Sequence, residues 1–189
     1  GVQGVLDRFG QIEPRVLICV DGYWYNGKPV DCMARNAEIA AQMPSVTHTV
    51  VVSYLAESPN VRGVRNGLRY ADFVAPFAAT QIDFAPLPFD YPLFIMFSSG
   101  TTGVPKCIVY CHGGALLQHL KEHQLHGDVR ADDRIFYFTT CGWMMWNWLA
   151  SGLASGATLL LYDGSPFVAG AAGRPGTILF DYADVEGMT

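Results

Sequence analysis

LFIMFSSGTTGVPKCIVY, the sequence of residues 93–110, places a glycine-rich loop between two apolar segments. Residues 93–97 and 107–110 are short apolar runs of the kind that form β-strands. The intervening loop, residues 98–106, contains two glycines, four hydroxyl side chains and a final Pro-Lys pair. This order predicts a flap over a ligand. It differs from the Walker A loop, which opens a helix and has glycine directly before its lysine.

The composition of this loop suits a phosphate ligand. Gly100 and Gly103 let the chain turn sharply and let a ligand approach it closely, so that successive N–H groups can converge on an anion. The hydroxyls can donate to phosphate oxygens, and Lys106 adds a positive charge. The predicted nucleotide-binding residues are Ser98, Ser99, Gly100, Thr101, Thr102, Gly103 and Lys106. The alternative is a solvated turn that joins two strands and binds nothing.

Upstream of the loop, the sequence predicts a strand–helix–strand unit. Residues 15–20 and 47–53 read as strands because they are apolar and β-branched. Between them, Asp31 can cap a helix that ends at about residue 42. The aromatic residues 23–25, followed by Asn-Gly, predict a strand that enters a tight turn. A strand, a helix and a strand in this order indicate a crossover unit of an α/β sheet.

The remaining residues predict one irregular connection and one regular half. Residues 54–92 include five prolines and read as a surface connection with a short helix near residues 70–77. After the loop, helix and strand patterns alternate. The predicted helices are residues 112–126 and 143–154, and the predicted strands are residues 134–139 and 157–162. We therefore predict an α/β fold with mixed sheets and flanking helices.

Composition and charge exclude several classes of protein. The 189 residues are 50% hydrophobic and 15% charged, which excludes a disordered chain. A net charge of −5 provides no basic surface for nucleic acid or for an anionic membrane. The five cysteines are odd in number and lack the spacing of a disulfide framework. We therefore expect a reducing compartment and a cytoplasmic protein.

One uncharged stretch, residues 135–162, is long enough to span a bilayer. Polar residues and glycines interrupt it, and its periodicity changes as a strand, a helix and a strand would require. We therefore expect no membrane span, and a membrane-anchored protein is the alternative that rests on this stretch alone.

The loop SSGTTGVPK resembles the phosphate loop of adenylate-forming enzymes, a superfamily of acyl-CoA synthetases, luciferases and peptide-synthetase adenylation domains. Five other segments make the resemblance closest to acetoacetyl-CoA synthetases. They are YCHGGALL (110–117), FTTCGWMMWNW (138–148), SGLASGA (151–157), YDGSP (162–166) and ILFDYADVEGMT (178–189). The resemblance implies that residues 1–189 are a fragment of the large N-terminal domain of an adenylate-forming enzyme, a partial AMP-binding (adenylation) domain without the C-terminal domain.

The resemblance also implies a two-step reaction. The carboxylate of acetoacetate attacks the α-phosphorus of ATP in the presence of Mg²⁺, which gives an acyl adenylate and pyrophosphate. The thiol of coenzyme A then displaces AMP. Lys106 and Thr102 are the implied catalytic residues, because they would hold the β- and γ-phosphates and neutralise the leaving pyrophosphate. The expected partners are acetoacetate, ATP and coenzyme A. Neither nucleic acid nor a membrane is an expected partner, and the oligomeric state is left open.

Trp143, Met144 and Met145 form the predicted substrate pocket, since related short-chain synthetases begin a helix here that lines the acyl site. The two methionines replace smaller residues of those enzymes and would shape a pocket for a four-carbon keto acid. Ordinary core packing is the alternative. A ligase for acetate or propionate, and a nucleotide-binding module without ligase chemistry, also stay open.

The histidines and cysteines near the loop are residue types that bind metals, but their order does not match a metal-binding motif. His119, His123 and His126 share one face of a predicted helix but lack the His-Glu-x-x-His order, so we predict no metal site. His112 follows the second strand, where it either approaches the nucleotide or caps the helix. No match is found for the adenine strand, the ribose aspartate or the C-terminal lysine of the family. We therefore expect that this chain alone completes neither half-reaction and is poorly soluble.

Overall fold

The computed structural model describes residues 1–98 and 103–189, which divide into two compact units. Unit 1 comprises Gly1–Ala85 and Phe97–Cys107, and unit 2 comprises Pro86–Met96 and Ile108–Thr189.

Unit 1 contains a three-stranded parallel sheet flanked by helices. Its strand order is β1-β4-β5, with Val16 beside His48 and Thr49 beside Gly67. The elements in chain order are α1 (Val2–Phe9), β1 (Val16–Val20), β2 (Gly22–Tyr25), β3 (Lys28–Asp31), α2 (Met33–Gln42), β4 (His48–Val52), β5 (Gly67–Arg69) and α3 (Tyr70–Val74). Because α2 joins parallel strands β1 and β4, the predicted crossover unit is confirmed.

The start of α2 differs by one residue from the prediction. Cys32 occupies the N-cap position, and no side-chain bond caps the helix from there. The Asp31 carboxylate nevertheless accepts a hydrogen bond of 2.9 Å from the N–H of Met33. Asp31 therefore satisfies one of the free N–H groups of the first turn, although it lies just outside the helix.

The core of unit 1 lies between β1, α1 and α2. It is formed by the buried side chains of Leu17, Ile39, Met43 and Val46. Val2, Val5, Leu6 and Phe9 of α1 pack against them. Helix α1 is therefore held by its apolar face, although the sequence interpretation assigned no element to residues 2–9. The apolar positions 2, 5, 6 and 9 follow the helical period.

The predicted tight turn of unit 1 is confirmed. Strands β2 and β3 pair antiparallel, with Tyr25 beside Lys28. The two connecting residues, Asn26 and Gly27, have φ values of 50° and 74°. Two consecutive residues with positive φ are characteristic of the hairpin turn that Asn-Gly favours.

Unit 2 alternates helices with short strands. Its elements are β6 (Pro92–Phe97, whose last residue belongs to unit 1), β7 (Cys107–Cys111, whose first residue belongs to unit 1), α4 (His112–Leu120), β8 (Arg134–Phe136), α5 (Met144–Ser151), β9 (Thr158–Leu160) and α6 (Ile178–Glu186). Strands β6 and β7 pair with each other, and β8 pairs in parallel with β9. Strands β8 and β9 are shorter than predicted, with three residues each.

The helix predicted at residues 112–126 changes its form halfway. It is α-helical to Leu120 and continues as a π-helix over Lys121–His126. His123 lies in this π-helical segment and is completely buried. Its Nε2 lies 2.8 Å from the carbonyl oxygen of Trp148. Because a carbonyl only accepts, Nε2 carries the proton, and Nδ1 is a buried nitrogen without a hydrogen-bond partner among the described residues.

Helix α6 was not predicted from the sequence, and in the structure no side chain caps its N-terminus. Tertiary contacts within unit 2 hold it instead. The Arg134 guanidinium pairs with the Glu186 carboxylate at 2.9 Å. The Tyr182 hydroxyl donates to the carbonyl oxygen of Leu161 at 2.9 Å. Thr189, just after α6, donates its N–H to the Arg134 carbonyl oxygen at 3.1 Å.

Two further expectations concern the membrane and the cysteines. Within residues 1–98 and 103–189, the structure has no helix with the length and apolar character needed to cross a membrane. All five cysteines are free thiols. Burial raises the pKa of the Cys19 thiol to about 11, and the nearby Cys32 adds to the effect. Cys19 is therefore a neutral, unreactive thiol at physiological pH.

Candidate active site

The two ends of the glycine-rich loop are tied together by backbone and side-chain hydrogen bonds. The N–H of Ser98 donates to the carbonyl oxygen of Lys106 at 3.0 Å. In return, the N–H of Lys106 donates to the Ser98 hydroxyl oxygen at 3.3 Å. The Ser98 hydroxyl acts here as an acceptor, so its own proton is available for a phosphate oxygen.

The C-terminal half of the loop is open to a ligand. Gly103 has a φ of +87°, and a Cβ built on it would meet no atom within 4 Å. The positive φ, and not crowding, is therefore what favours glycine there. The Lys106 side chain is exposed, and it forms no ion pair with any residue in the described ranges. Its ammonium group is thus accessible to an external anion.

Four of the predicted loop residues lie outside the described residues: Ser99, Gly100, Thr101 and Thr102. Their predicted contacts with phosphate remain predictions. Of the predicted set, the structure describes Ser98, Gly103 and Lys106.

A glutamine that sequence reasoning missed supports the base of the loop. The Gln11 side-chain NH₂ donates to the carbonyl oxygen of Pro105 at 2.8 Å. The thiol of Cys107 donates to the Gln11 side-chain oxygen at 3.6 Å. Nearby, the rings of Phe9 and Phe97 lie 6.2 Å apart. A lone glutamine after a helix gives no signal of such a role, because its partners are more than 90 residues away in sequence.

Unit 2 contains an open cavity of about 350 Å³ at the start of α5. Its lining residues are Tyr137, Phe138, Thr139, Thr140, Trp143 and Met145. A largely apolar, aromatic lining with three hydroxyl-bearing residues is typical of a small-molecule pocket. Of the predicted substrate-pocket residues, Trp143 and Met145 line the cavity, whereas Met144 is not among the lining residues and is 51% exposed.

The position of Trp143 follows from a turn before α5. The Trp143 N–H donates to the carbonyl oxygen of Thr140 at 3.0 Å, which reverses the chain after the lining residues 137–140. Trp143 is the N-cap residue of α5 and has an extended backbone, with ψ of 148°. Leu149, which is 2% exposed, anchors the other end of the helix in the core of unit 2. One end of α5 is thus fixed while the other borders the cavity.

His112 bonds to the backbone of the residues before β6. His112 Nε2 lies 2.6 Å from the Pro88 carbonyl oxygen, and the His112 N–H donates to the carbonyl oxygen of Tyr91. Burial lowers the pKa of His119, an effect that the nearby Glu122 opposes and His123 reinforces. His119 is therefore neutral at pH 7. No group of three His, Cys, Asp or Glu residues that could hold a metal occurs within the described part of the chain.

Residues 4–175 match the family model described as AMP-binding enzyme. The chain therefore belongs to the AMP-binding enzyme family, and the predicted membership of the adenylate-forming superfamily is confirmed.

Two relatives and one solved structure are similar to this chain over most of its length. The acetoacetyl-coenzyme A synthetase of Rhizobium meliloti is 57% identical over 190 residues, which is 98% of this chain and 28% of that protein. The malonamoyl-CoA synthetase of Penicillium aethiopicum is 46% identical over 175 residues, which is 88% of this chain and 24% of that protein. The solved acetoacetyl-CoA synthetase from Streptomyces lividans superposes with a TM-score of 0.84 at 41% identity, covering 100% of this chain and 28% of that one.

The predicted α/β class with mixed sheets is confirmed by this superposition. The chain spans only about a quarter of the length of these relatives, 24% to 28%.

Proposed function

We propose that this chain is part of an AMP-forming acid–CoA ligase that activates acetoacetate with ATP and transfers the acyl group to coenzyme A. Within that enzyme it would form part of the N-terminal adenylation domain, as the sequence predicts. The observation that carries the proposal is Lys106, which is exposed and unpaired among the described residues beside the Ser98 hydroxyl. Its setting in a chain of the AMP-binding enzyme family supports the same reading.

The described residues of the loop fit the phosphates of ATP. A protonated Lys106 amine supplies a positive charge, and the Ser98 O–H supplies a donor. When the substrate carboxylate attacks the α-phosphorus, the bond from that phosphorus to the bridging oxygen breaks and negative charge grows on the pyrophosphate. A fixed ammonium group near that charge stabilises the transition state more than the ground state. Thr102 is proposed to act alongside Lys106.

Mg²⁺ is expected with ATP in this family, and it binds phosphate oxygens together with one or two carboxylates. Residues 98 and 103–106 carry no carboxylate, so we assign Mg²⁺ no ligand from the described loop residues. Coenzyme A is the proposed acceptor in the second step, in which its thiol attacks the acyl carbon and AMP leaves with its bonding electrons.

The substrate class is proposed to be short acids with a carbonyl group at the third carbon. The two relatives above are named for acetoacetyl-CoA and malonamoyl-CoA. Acetoacetate and malonamate share a carboxylate, a methylene and a carbonyl, and they differ only in a terminal methyl or amino group of similar size. The cavity fits such an acid, because Trp143 and Met145 offer apolar contact and Thr139 and Thr140 offer hydroxyl donors.

The apolar side of the lining favours acetoacetate over malonamate. A terminal methyl group makes favourable contact with Trp143 or Met145, whereas an amino group without a hydrogen-bond partner is costly to bury. The Thr139 hydroxyl already donates weakly, at 3.4 Å, to the carbonyl oxygen of Thr140, so a bond from it to the acid would compete with that one.

The test is pyrophosphate release by the gene product that carries this chain, with ATP, Mg²⁺ and a panel of acetoacetate, malonamate, acetate, propionate and butyrate. We expect acetoacetate to give the highest kcat/KM. Release driven best by another acid would keep the reaction and change the substrate. ATP binding without acid-dependent release from any member of the panel would contradict the ligase and favour a nucleotide-binding module.

Shortening Met145 is expected to change the preference among acids. Met145→Ala removes a side chain that lines the cavity, which lets longer acids enter and weakens contact with short ones. We expect the ratio of kcat/KM for 3-oxohexanoate to that for acetoacetate to rise about tenfold or more, as one or two methylene contacts imply. The measurement is coenzyme A-dependent turnover with both acids.

Met144→Ala is the matched control, because Met144 is the adjacent methionine of α5 and is half exposed outside the lining. It should leave the ratio within about twofold, the size of a surface change. Equal changes in both variants would mean that the cavity is not the acyl pocket.

A further inference from the structure

Lys106 is flanked on both sides by residues that Gln11 holds, and we propose that Gln11 is the positioning residue of the phosphate loop. The proposal rests on the proposed function, since it assumes that Lys106 binds the phosphates of ATP. The side-chain hydrogen bonds of Gln11 run to Asp7 and to the two neighbours of Lys106, and not to Lys106 itself. It acts by fixing the backbone from which the Lys106 side chain projects.

The contacts of Gln11 bracket the lysine. Its amide nitrogen lies 2.8 Å from the Pro105 carbonyl oxygen, which belongs to the peptide bond before Lys106. Its amide oxygen lies 3.6 Å from the sulfur of Cys107, the residue that follows Lys106. The same amide nitrogen also lies 2.6 Å from the Asp7 carbonyl oxygen in α1. One side chain therefore joins α1 to both neighbours of Lys106.

The orientation of the Gln11 amide is determined by its partners. The carbonyl oxygens of Asp7 and Pro105 can only accept, so each requires an N–H from Gln11. A rotated amide would place its oxygen against both carbonyl oxygens, and both bonds would be lost. With the observed orientation, both N–H groups donate and the oxygen is left to accept from the Cys107 thiol. The full hydrogen-bonding capacity of the NH₂ group is used.

Helix α1, which ends just before Gln11, is held in place by packing. Its apolar residues, among them Leu6 and Phe9, pack against the buried cluster of unit 1. The ring of Phe9 also meets that of Phe97, the residue before the loop. Phe97 and Cys107 are the outermost residues of β6 and β7 on either side of the loop. The base of the loop is therefore fixed to α1 at both of its ends, once by ring packing and once by the Gln11 amide.

A second pair of bonds explains why fixing residues 105 and 107 orients Lys106. The N–H and the carbonyl oxygen of Lys106 both bond to Ser98. Together with Gln11, they constrain the backbone of Lys106 and of both its neighbours. A lysine side chain has about four rotatable bonds, which lose entropy when the ammonium group binds a phosphate. A mobile backbone would add to that loss. Positioning before ATP binds therefore reduces the ordering cost that would otherwise weaken binding.

The proposal predicts an effect on ATP and not on the acid. Gln11→Ala should lower kcat/KM for ATP about 3- to 10-fold, the equivalent of one neutral hydrogen bond. The KM for acetoacetate should change less than twofold. Gln11→Glu has the same size but a carboxylate that cannot donate to carbonyl oxygens, so it should lose at least as much. A role in packing alone would instead be preserved by glutamate. Gln3→Ala is the matched control, because Gln3 lies in the neighbouring helix α1 and its side chain bonds the Asp7 carboxylate rather than the loop.

The decisive experiment is a double-mutant cycle of Gln11→Ala with Lys106→Ala in the gene product that carries this chain. ATP dissociation constants and pyrophosphate release are measured for all four proteins. If Gln11 acts through Lys106, its replacement should have almost no further effect once Lys106 is alanine. An equal fold-loss in both backgrounds would overturn the proposal.

The proposed function is tested separately by the wild-type protein in the same experiment. If the wild type releases no pyrophosphate with any acid, the ligase is wrong, and the cycle is then evaluated on the ATP dissociation constants. Non-additive losses of ATP affinity would still support the role of Gln11, and additive ones would reject it.

Discussion

Lys106→Ala is expected to lower kcat for acetoacetate-dependent pyrophosphate release about 100- to 1,000-fold, the usual cost of removing one preorganised group that stabilises transition-state charge. The ammonium group of Lys106 is exposed and unpaired within the described residues. No neighbouring cation within the described part of the loop can replace it, because residues 98 and 103–105 are uncharged. The measurement is steady-state pyrophosphate release at saturating ATP, so that a weaker affinity for ATP does not conceal the effect on kcat.

Two variants make this result interpretable. Lys121→Ala removes a lysine that is also partly exposed and only loosely paired with Glu122, at 4.0 Å, and it should leave kcat unchanged. Lys106→Arg keeps the charge but replaces a compact ammonium group with a planar fork, so we expect partial activity. A Lys106→Ala enzyme with normal kcat would remove the loop from the chemistry and leave the solvated turn as its description.

Leu149→Ala is expected to destabilise unit 2 by about 2–5 kcal/mol, the range for truncating a buried leucine. Leu149 is 2% exposed, and it already borders a small cavity of about 40 Å³ with Trp146 and Leu160. Removing three more carbon atoms would enlarge a void that the surrounding aromatic residues cannot fill. Urea unfolding monitored by tryptophan fluorescence is the appropriate measurement, because three of the four tryptophans lie at residues 143–148.

Leu153→Ala provides the comparison on the next helical turn. Leu153 is 64% exposed and follows α5 in a 3₁₀ turn. Its truncation should cost no more than about 0.5 kcal/mol. If both variants unfolded at the same urea concentration, the burial of Leu149 would not contribute to the stability of unit 2.

The parts of the fold that the sequence predicted are those with strong local signals. Apolar and β-branched runs identified β1 and β4, and Asn26-Gly27 identified the hairpin turn. Segments stabilised by distant contacts were missed. Helix α6 is linked to the rest of unit 2 by contacts such as the pair of Glu186 with Arg134, which lies more than 50 residues away and leaves no local pattern. The π-helical segment around His123 was also missed, because α and π turns differ in backbone pairing and not in the kind of residue they contain.

The candidate site divides in the same way. The glycines, hydroxyls and lysine of the loop are adjacent in sequence, so a phosphate site could be predicted from them without a structure, and it stays a prediction. The cavity required the structure, because its lining combines residues 137–140 with Trp143 and Met145 across a turn. The sequence could not predict that Met145 lines the cavity and Met144 does not, because this depends on the rotation of α5 about its axis. Gln11 left no signal at all.

The bond from Gln11 to Pro105 spans 94 residues, and this separation has a consequence for biosynthesis. A ribosome adds roughly 5–20 residues each second, so about 5–20 s pass between the synthesis of the two partners. Helix α1 and its neighbours in residues 1–85 can pack during that time, but the base of the loop cannot. The proposed phosphate loop is therefore among the last parts of unit 1 to be completed, after the helix to which its base is bonded.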